Sequence, residues 1–440
     1  SGGDNSGGDN SGGDNSGGDN SGGDNSGGDN SGGDNTAQCS FSDTETPYTL
    51  TDPLNNGSGN DLTQSQYSEL IANLADIAYA GYSNLAVSTT DLQSKVQDYC
   101  ATATSRADQT KRTAAQDSFK QAMDITQQAL LYAYKTQEPG QGLDPALRAE
   151  HDIKAFYSWP LVNRCSIDKR IATGDANPGS SEFRKGLDAI EHLLFAAEDA
   201  GSSCNYDDLT AFEKSQYDEF AALGSDEKVL RRCNYMQNVM TEAVDVANGI
   251  KAAWDPADGA FLTAMKNTSN TIDTLNKVTD AMYYIEDVVK DDKLAQPMGS
   301  GRSNTIPTCG EGNKCPEDVE SPSAKISIDN MISNMQSFQE LYYGGTPADK
   351  AANLGFDDWL ITKGEVELAD RTTSQIEAVI NGLNSIKTNH GSLYNAVDNC
   401  EQEVETFFDT TYQPFARGFR DYFLPRLGLQ RPQASQADTD

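Results

Sequence analysis

From Gln64 onward, apolar residues recur at three- and four-residue steps. Tyr67, Leu70, Ile71, Leu74, Ile77 and Ala78 fall on one side of an amphipathic helix over Gln64–Tyr82. The same period predicts helices over 86–104, 114–136, 181–198, 207–221, 226–253, 259–291, 324–343, 364–387 and 390–424. Several open on capping residues: Ser225-Asp226, Asp255-Pro256 and Ser323. Val, Ile and Thr nowhere alternate with polar residues over a useful strand length. The pattern therefore predicts an all-α protein of two packed antiparallel helix bundles.

Two stretches interrupt it. Residues 137–180 are rich in Pro and Gly and carry Phe156, Tyr157 and Trp159. Residues 293–323 hold Pro297, Gly299, Gly301, Pro307, Gly310, Gly312, Pro316 and Pro322. The second suggests a boundary, with a first bundle over 39–300 and a second over 301–430. Alternatively the bundles share helices and this loop is an insertion.

The pattern is missing at the start. Residues 1–35 are seven copies of SGGDN without one apolar side chain, so burial cannot offset the entropy of ordering them. Residues 1–38 are expected to be a disordered linker, and 431–440 a disordered tail. A lipidated cysteine just upstream of Ser1 would make the linker a membrane tether; an ordinary leader on a secreted protein is the alternative. The chain opens on Ser, and the expectation is that a signal peptide has been removed.

Charge narrows the partners. The net value of −34 and the lack of any basic run repel phosphate backbones, so nucleic acid is not an expected partner. No apolar run approaches the roughly 20 residues that span a bilayer, which leaves a lipid anchor as the expected membrane contact. Eight dispersed cysteines, none in a CxxC pair, fit an oxidising compartment such as the periplasm or the outer-membrane surface. Cys309 and Cys315 close a short loop containing Gly310 and Gly312 and are the one pair expected from the sequence.

The segment Gly186–Phe195 carries the most chemistry. Asp188, Glu191 and His192 are spaced i, i+3, i+4, so they project from adjacent turns of one helical face. Two carboxylates and an imidazole can ligate iron, manganese or zinc. Arg184, four residues before Asp188, offers an equally simple explanation as an intrahelical ion pair. Gly186 inside a helical run costs about 1 kcal/mol relative to Ala, which suggests close approach by another element.

These residues also carry a resemblance. Gly186–Phe195 resembles the GxHxxE motif of the imelysin family. Phe156-Tyr157-Ser158-Trp159-Pro160 with Cys165-Ser166-Ile167-Asp168 is similar to that family's aromatic-WP and C-x-V-D elements. Glu320-Ser321-Pro322, Ile328-Asp329, Asn334, Ser337 and Tyr343-Gly344 resemble the ESP…D…N…S…YxG stretch of its iron-regulated branch, and Phe423–Leu429 its closing LGL element. The family histidine is Asp188 here, giving GxDxxE. The glutamate that relatives carry on an earlier helix falls near Leu130, after Gln127 and Gln128.

The resemblance implies an exported protein of paired helical bundles with a site between them, linked to iron uptake. Asp188, Glu191 and His192 are then the expected metal ligands, with iron or zinc as the ion. By the same resemblance Asp168 is an additional acid, and Tyr157, Trp159, Arg184 and Glu320 line the approach. The expected function is an envelope-tethered binding protein that captures iron or an iron-bearing ligand, with an uptake-system protein as partner. One alternative is an interaction module with a degenerate site. Another is a metallopeptidase, for which neither HExxH nor a GxSxG elbow is present.

Overall fold

Thr63 sets the start of the first long helix. Its side chain accepts from the Gln66 N–H while Gln66 bonds back to Thr63, a reciprocal cap for α1, Gln64–Cys100. The sequence pattern divides this stretch near residue 83, yet the helix runs straight through. Tyr82, Leu85 and Ala86 continue its buried face, and Ser83-Asn84 contains no residue that breaks a helix. Asp108 caps α2, Gln109–Leu130, which packs along α1. A Cβ on Gly81 would lie 2.3 Å from the Tyr132 ring, so glycine permits the chain just after α2 to press against α1.

The computed structural model describes Cys39, residues 57–134, 156–197, 203–299, 308–310 and 312–432. The expected linker, 1–38, and most of the expected tail, 431–440, lie outside these residues. Among the described residues there is no strand, and no helix is long and apolar enough to cross a membrane. Ala37–Asp440 groups as one compact unit.

Within the stretch expected to be a loop, Arg164–Thr173 forms helix α3. Asn163 caps it, Gly174 ends it in the left-handed conformation, and no Pro or Gly lies between. Helix α4, Gly186–Phe195, packs on α2 and on α5, Ser225–Ala253. The helix expected over 259–291 is broken, because Asn270 caps a new start at α6, Thr271–Met282. Beyond it, residues Ile285–Ala295 wind as a π-helix. Its wider turn brings Glu286, Lys290 and Lys293 to buried positions.

The remaining long helices are α7, Ser327–Tyr343, α8, Val366–His390, and α9, Leu393–Phe407. Their core is aromatic: Phe338 meets Phe415 and Phe419 edge-on, with ring centres 5.3 and 5.2 Å apart. Helix α7 packs on both α2 and α8, so the two halves of the chain meet along it. The approach to α1 is also clasped there, since Trp359 Nε1 donates to Asp61 at 2.7 Å and Gly59 N–H to the Lys363 carbonyl at 3.0 Å.

Four disulfides pin these elements: Cys39–Cys400, Cys100–Cys233, Cys165–Cys204 and the expected Cys309–Cys315. The Cys100–Cys233 bridge ties the end of α1 to α5 across 133 residues of sequence.

Candidate functional site

Gly186 explains where the central helix begins. Its φ of +72° lies in the left-handed region, which favours glycine. The preceding Glu182–Arg184 turn is a separate element, so Arg184 is not on the helix that carries Asp188. Its guanidinium donates to Ser181 Oγ at 2.9 Å and lies over the Phe183 ring. The intrahelical pair with the acids therefore does not form.

Asp188 and Glu191 both point inward, and each is received by a pair of backbone N–H groups. Asp188 Oδ2 accepts from Ser158 N–H at 2.7 Å and Trp159 N–H at 3.0 Å. Glu191 Oε1 accepts from Ser323 and Ala324 N–H, each at 2.9 Å. The second pair exists because Ser321 and Lys325 adopt positive φ, 50° and 58°, which curls the segment before α7 into a concave row of donors. A left-handed non-glycine costs on the order of 1 kcal/mol each, and such strain gathers at ligand-holding segments.

A third carboxylate completes the buried cluster. Glu320 Oε1 accepts from Gln127 Nε2 at 2.8 Å and from the Tyr157 hydroxyl, and lies 3.0 Å from Lys293 Nζ. Lys293 also donates to Gln127 Oε1 at 2.7 Å and Asn334 Oδ1 at 2.8 Å. The Lys293 and Glu320 side chains are both fully buried. Glu320 Oε2 is buried with no hydrogen-bond partner.

Electrostatics follow from this crowding. Burial, then the charges of Glu191 and Glu320, push the Asp188 carboxyl up to about 7 against the pull of its two N–H donors. Burial also raises Glu191, opposed by the Ala324 and Ser323 donors and by Arg164 at the start of α3. The Tyr157 and Tyr284 hydroxyls are driven well up by burial and by Glu320 and Asp188. Burial lowers the Lys293 ammonium, while Glu320 and Asp188 support its charge.

His192 leaves this group. Its Nε2 lies 2.9 Å from Asp168 Oδ1, and Ser203 N–H and Oγ hold Asp168 Oδ2 at 2.7 and 2.6 Å. Burial alone would raise Asp168, but His192 and Ser203 together hold it below the usual carboxylate range. The nearby Cys165–Cys204 bridge fastens the segments that carry Asp168 and Ser203. Of the residues singled out from sequence, Asp188, Glu191, Glu320 and Tyr157 share the buried cluster, and Trp159 meets it through its backbone. His192 and Asp168 form a separate pair, and Arg184 stands apart.

Sequence reasoning did not assign Lys293, Gln127 or Tyr284 to the cleft. Gln127, one turn before Leu130, is the α2 residue that enters it, and it stands on the same side as Asn334.

The donor set is oxygen-rich, as a hard cation requires. The unpartnered Glu320 Oε2 and an ammonium held by three oxygens mark a place shaped for positive charge. Among the described residues, Asp188, Glu191 and Glu320 do not bring ligand atoms within 4.8 Å of one another. Two other groups do, Cys309/Cys315/Glu317 and His390/Cys400/Glu403, but their cysteines are spent in disulfides.

The imelysin family model matches residues 78–407, well over half of the chain. No curated protein matches. Two solved structures share the fold. One is described as an imelysin-like protein from Psychrobacter arcticum 273-4, at 13% identity and TM-score 0.59, covering 84% of this chain and 98% of that one. The other, named a candidate iron-regulated protein A precursor from Parabacteroides distasonis ATCC 8503, gives 16% identity and TM-score 0.56, covering 83% and 98%. The chain belongs to the imelysin family.

Proposed function

We propose that this imelysin-family chain is a non-enzymatic binding protein of the cell envelope that captures iron, or an iron-bearing ligand, in the cleft between Asp188, Glu191 and Glu320. The observation that carries this reading is the concentration of three buried carboxylates within electrostatic reach of one another. Lys293 and, at Glu191, Arg164 are the charges that oppose them. Isolated buried carboxylates cost several kcal/mol each, so such a cluster favours a cation entering it.

The chain's own residues do three things. Paired N–H groups at Ser158/Trp159 and Ser323/Ala324 orient Asp188 and Glu191 as acceptors. Tyr157 and Gln127 hold Glu320 Oε1 and leave Oε2 free to turn toward a ligand. Tyr157 is buried and Tyr284 partly buried beside these groups, and a low-dielectric surrounding strengthens each charge interaction. A bound ion would supply the positive charge that the carboxylates lack.

The name of the Parabacteroides relative refers to iron regulation, and four disulfides agree with an oxidising compartment. The Gly/Ser-rich repeat fits a flexible tether, with an uptake-system protein as the recipient. Calorimetric titration with ferrous iron under argon, and with zinc, tests the site. Wild type is expected to bind and Asp188→Asn/Glu191→Gln to lose binding; identical isotherms would retire the proposal.

One observation favours a second reading. Lys293 already neutralises Glu320, as it would in an interaction module whose metal site has degenerated. A metal-free native protein with a stable envelope partner would support that reading instead.

A further inference from the structure

We propose that Lys293 is a built-in competitor for the cleft: its ammonium holds the oxygen seat formed by Glu320, Gln127 and Asn334, and an incoming cation must displace it. The inference rests on the cation-capture reading above and adds the device that sets its affinity. The geometry is that of a caged ion. Nζ lies 3.0, 2.7 and 2.8 Å from oxygens of the three residues, on a side chain with no exposure. These oxygens come from three separate elements: the segment before α7, α2, and α7 itself.

A hydrated ammonium gains little from such a cage unless the cage is built for positive charge, because burying an ion costs several kcal/mol. Two features show that the occupant is not a perfect fit. Glu320 Oε2 faces no donor. The three carboxylates also stay further apart than a shared ion would hold them. A metal ion replacing the ammonium would use both Glu320 oxygens and draw Asp188 and Glu191 inward.

The displaced ammonium has somewhere to go. While seated on the three oxygens, Nζ already stands 5.2 Å from the centre of the Tyr284 ring, within cation–π range, so a short swing onto that face would keep its charge supported. Asp292, next to Lys293 in the chain, adds a favourable charge on that element. Four flexible stem bonds allow the head to leave the oxygen seat without moving the π-helix.

The test is calorimetric titration of the full chain with ferrous iron under argon, and with zinc ion, for wild type, Lys293→Met, Lys293→Arg and Glu320→Gln. Removing the competing charge should tighten binding by about tenfold or more, because a unit charge at this range opposes the ion in a low-dielectric site. Lys293→Arg keeps the charge and should bind no better than wild type, and Glu320→Gln should bind worst. Lys293→Gln, with a neutral hydrogen-bonding head, replaces Lys293→Met if the latter does not fold. Binding by the neutral variant alone would equally support competition. Wild type binding as tightly as the neutral variant would overturn the inference while leaving the capture reading intact. Absence of binding in every protein would overturn both.

Discussion

Lys293 Nζ and Glu320 Oε1 lie 3.0 Å apart, with neither side chain exposed. They come from the π-helix Ile285–Ala295 and from the segment before α7, so their meeting ties these two elements together. A buried pair of this kind contributes little net stability, but removing one partner leaves an uncompensated charge.

Glu320→Gln is therefore expected to destabilise the fold by about 3–5 kcal/mol, and Glu320→Gln/Lys293→Met to recover much of that loss. Urea unfolding of the two single variants and the double variant measures the coupling. Simple additivity of the single effects would contradict the pairing.

The pH dependence follows from Asp188. Its folded carboxyl sits at about 7, above its unfolded value of about 3.9, so the folded state binds the extra proton between those limits. The group penalises folding fully above pH 7, and the penalty fades as pH falls from 7 toward 4. Asp188→Asn should thus stabilise the protein by a few kcal/mol at pH 8 and little at pH 4. Chemical denaturation at those two pH values checks the sign. A residual slope from Glu191, raised in the same direction, should remain.

His192 and Asp168 act as a structural clasp. Asp168→Asn should cost about 1–3 kcal/mol of stability by weakening a buried hydrogen-bonded pair. Zinc affinity should not change. A loss of affinity with His192→Gln, at unchanged stability, would return His192 to the ligand set.

The Cys100–Cys233 bridge closes 133 residues of sequence, so its removal should cost on the order of 4–5 kcal/mol by the loop-entropy argument. Guanidinium unfolding of Cys100→Ala/Cys233→Ala against wild type measures this. A difference below about 1 kcal/mol would show that the unfolded chain is already constrained there.

Much of this fold is written in its hydrophobic period. The stripe of Tyr67, Leu70, Ile71 and Leu74 reads directly as α1, and Asp188 with Glu191 stands out because both acids share one helical face. What the sequence conceals is set by tertiary contact. Lys293 falls just past the helix expected over 259–291, at the start of the Pro/Gly-rich stretch 293–323, and only the π-helix brings it to a buried position. Arg184 satisfies the i, i+4 spacing to Asp188, but the left-handed Gly186 breaks the helix between them. His192 also keeps its helical spacing, yet at the edge of the face Asp168 on α3 captures it. The three separate elements that supply Gln127, Glu320 and Asn334 meet only after folding, so no local pattern foretells the cage.

Metal analysis of the protein isolated from its native envelope, beside the Asp188→Asn/Glu191→Gln variant isolated the same way, tests the central claim most directly. Capture by the buried carboxylates predicts iron in the wild type and its loss from the variant. Equal metal content in the two proteins, or none in the wild type, would contradict it.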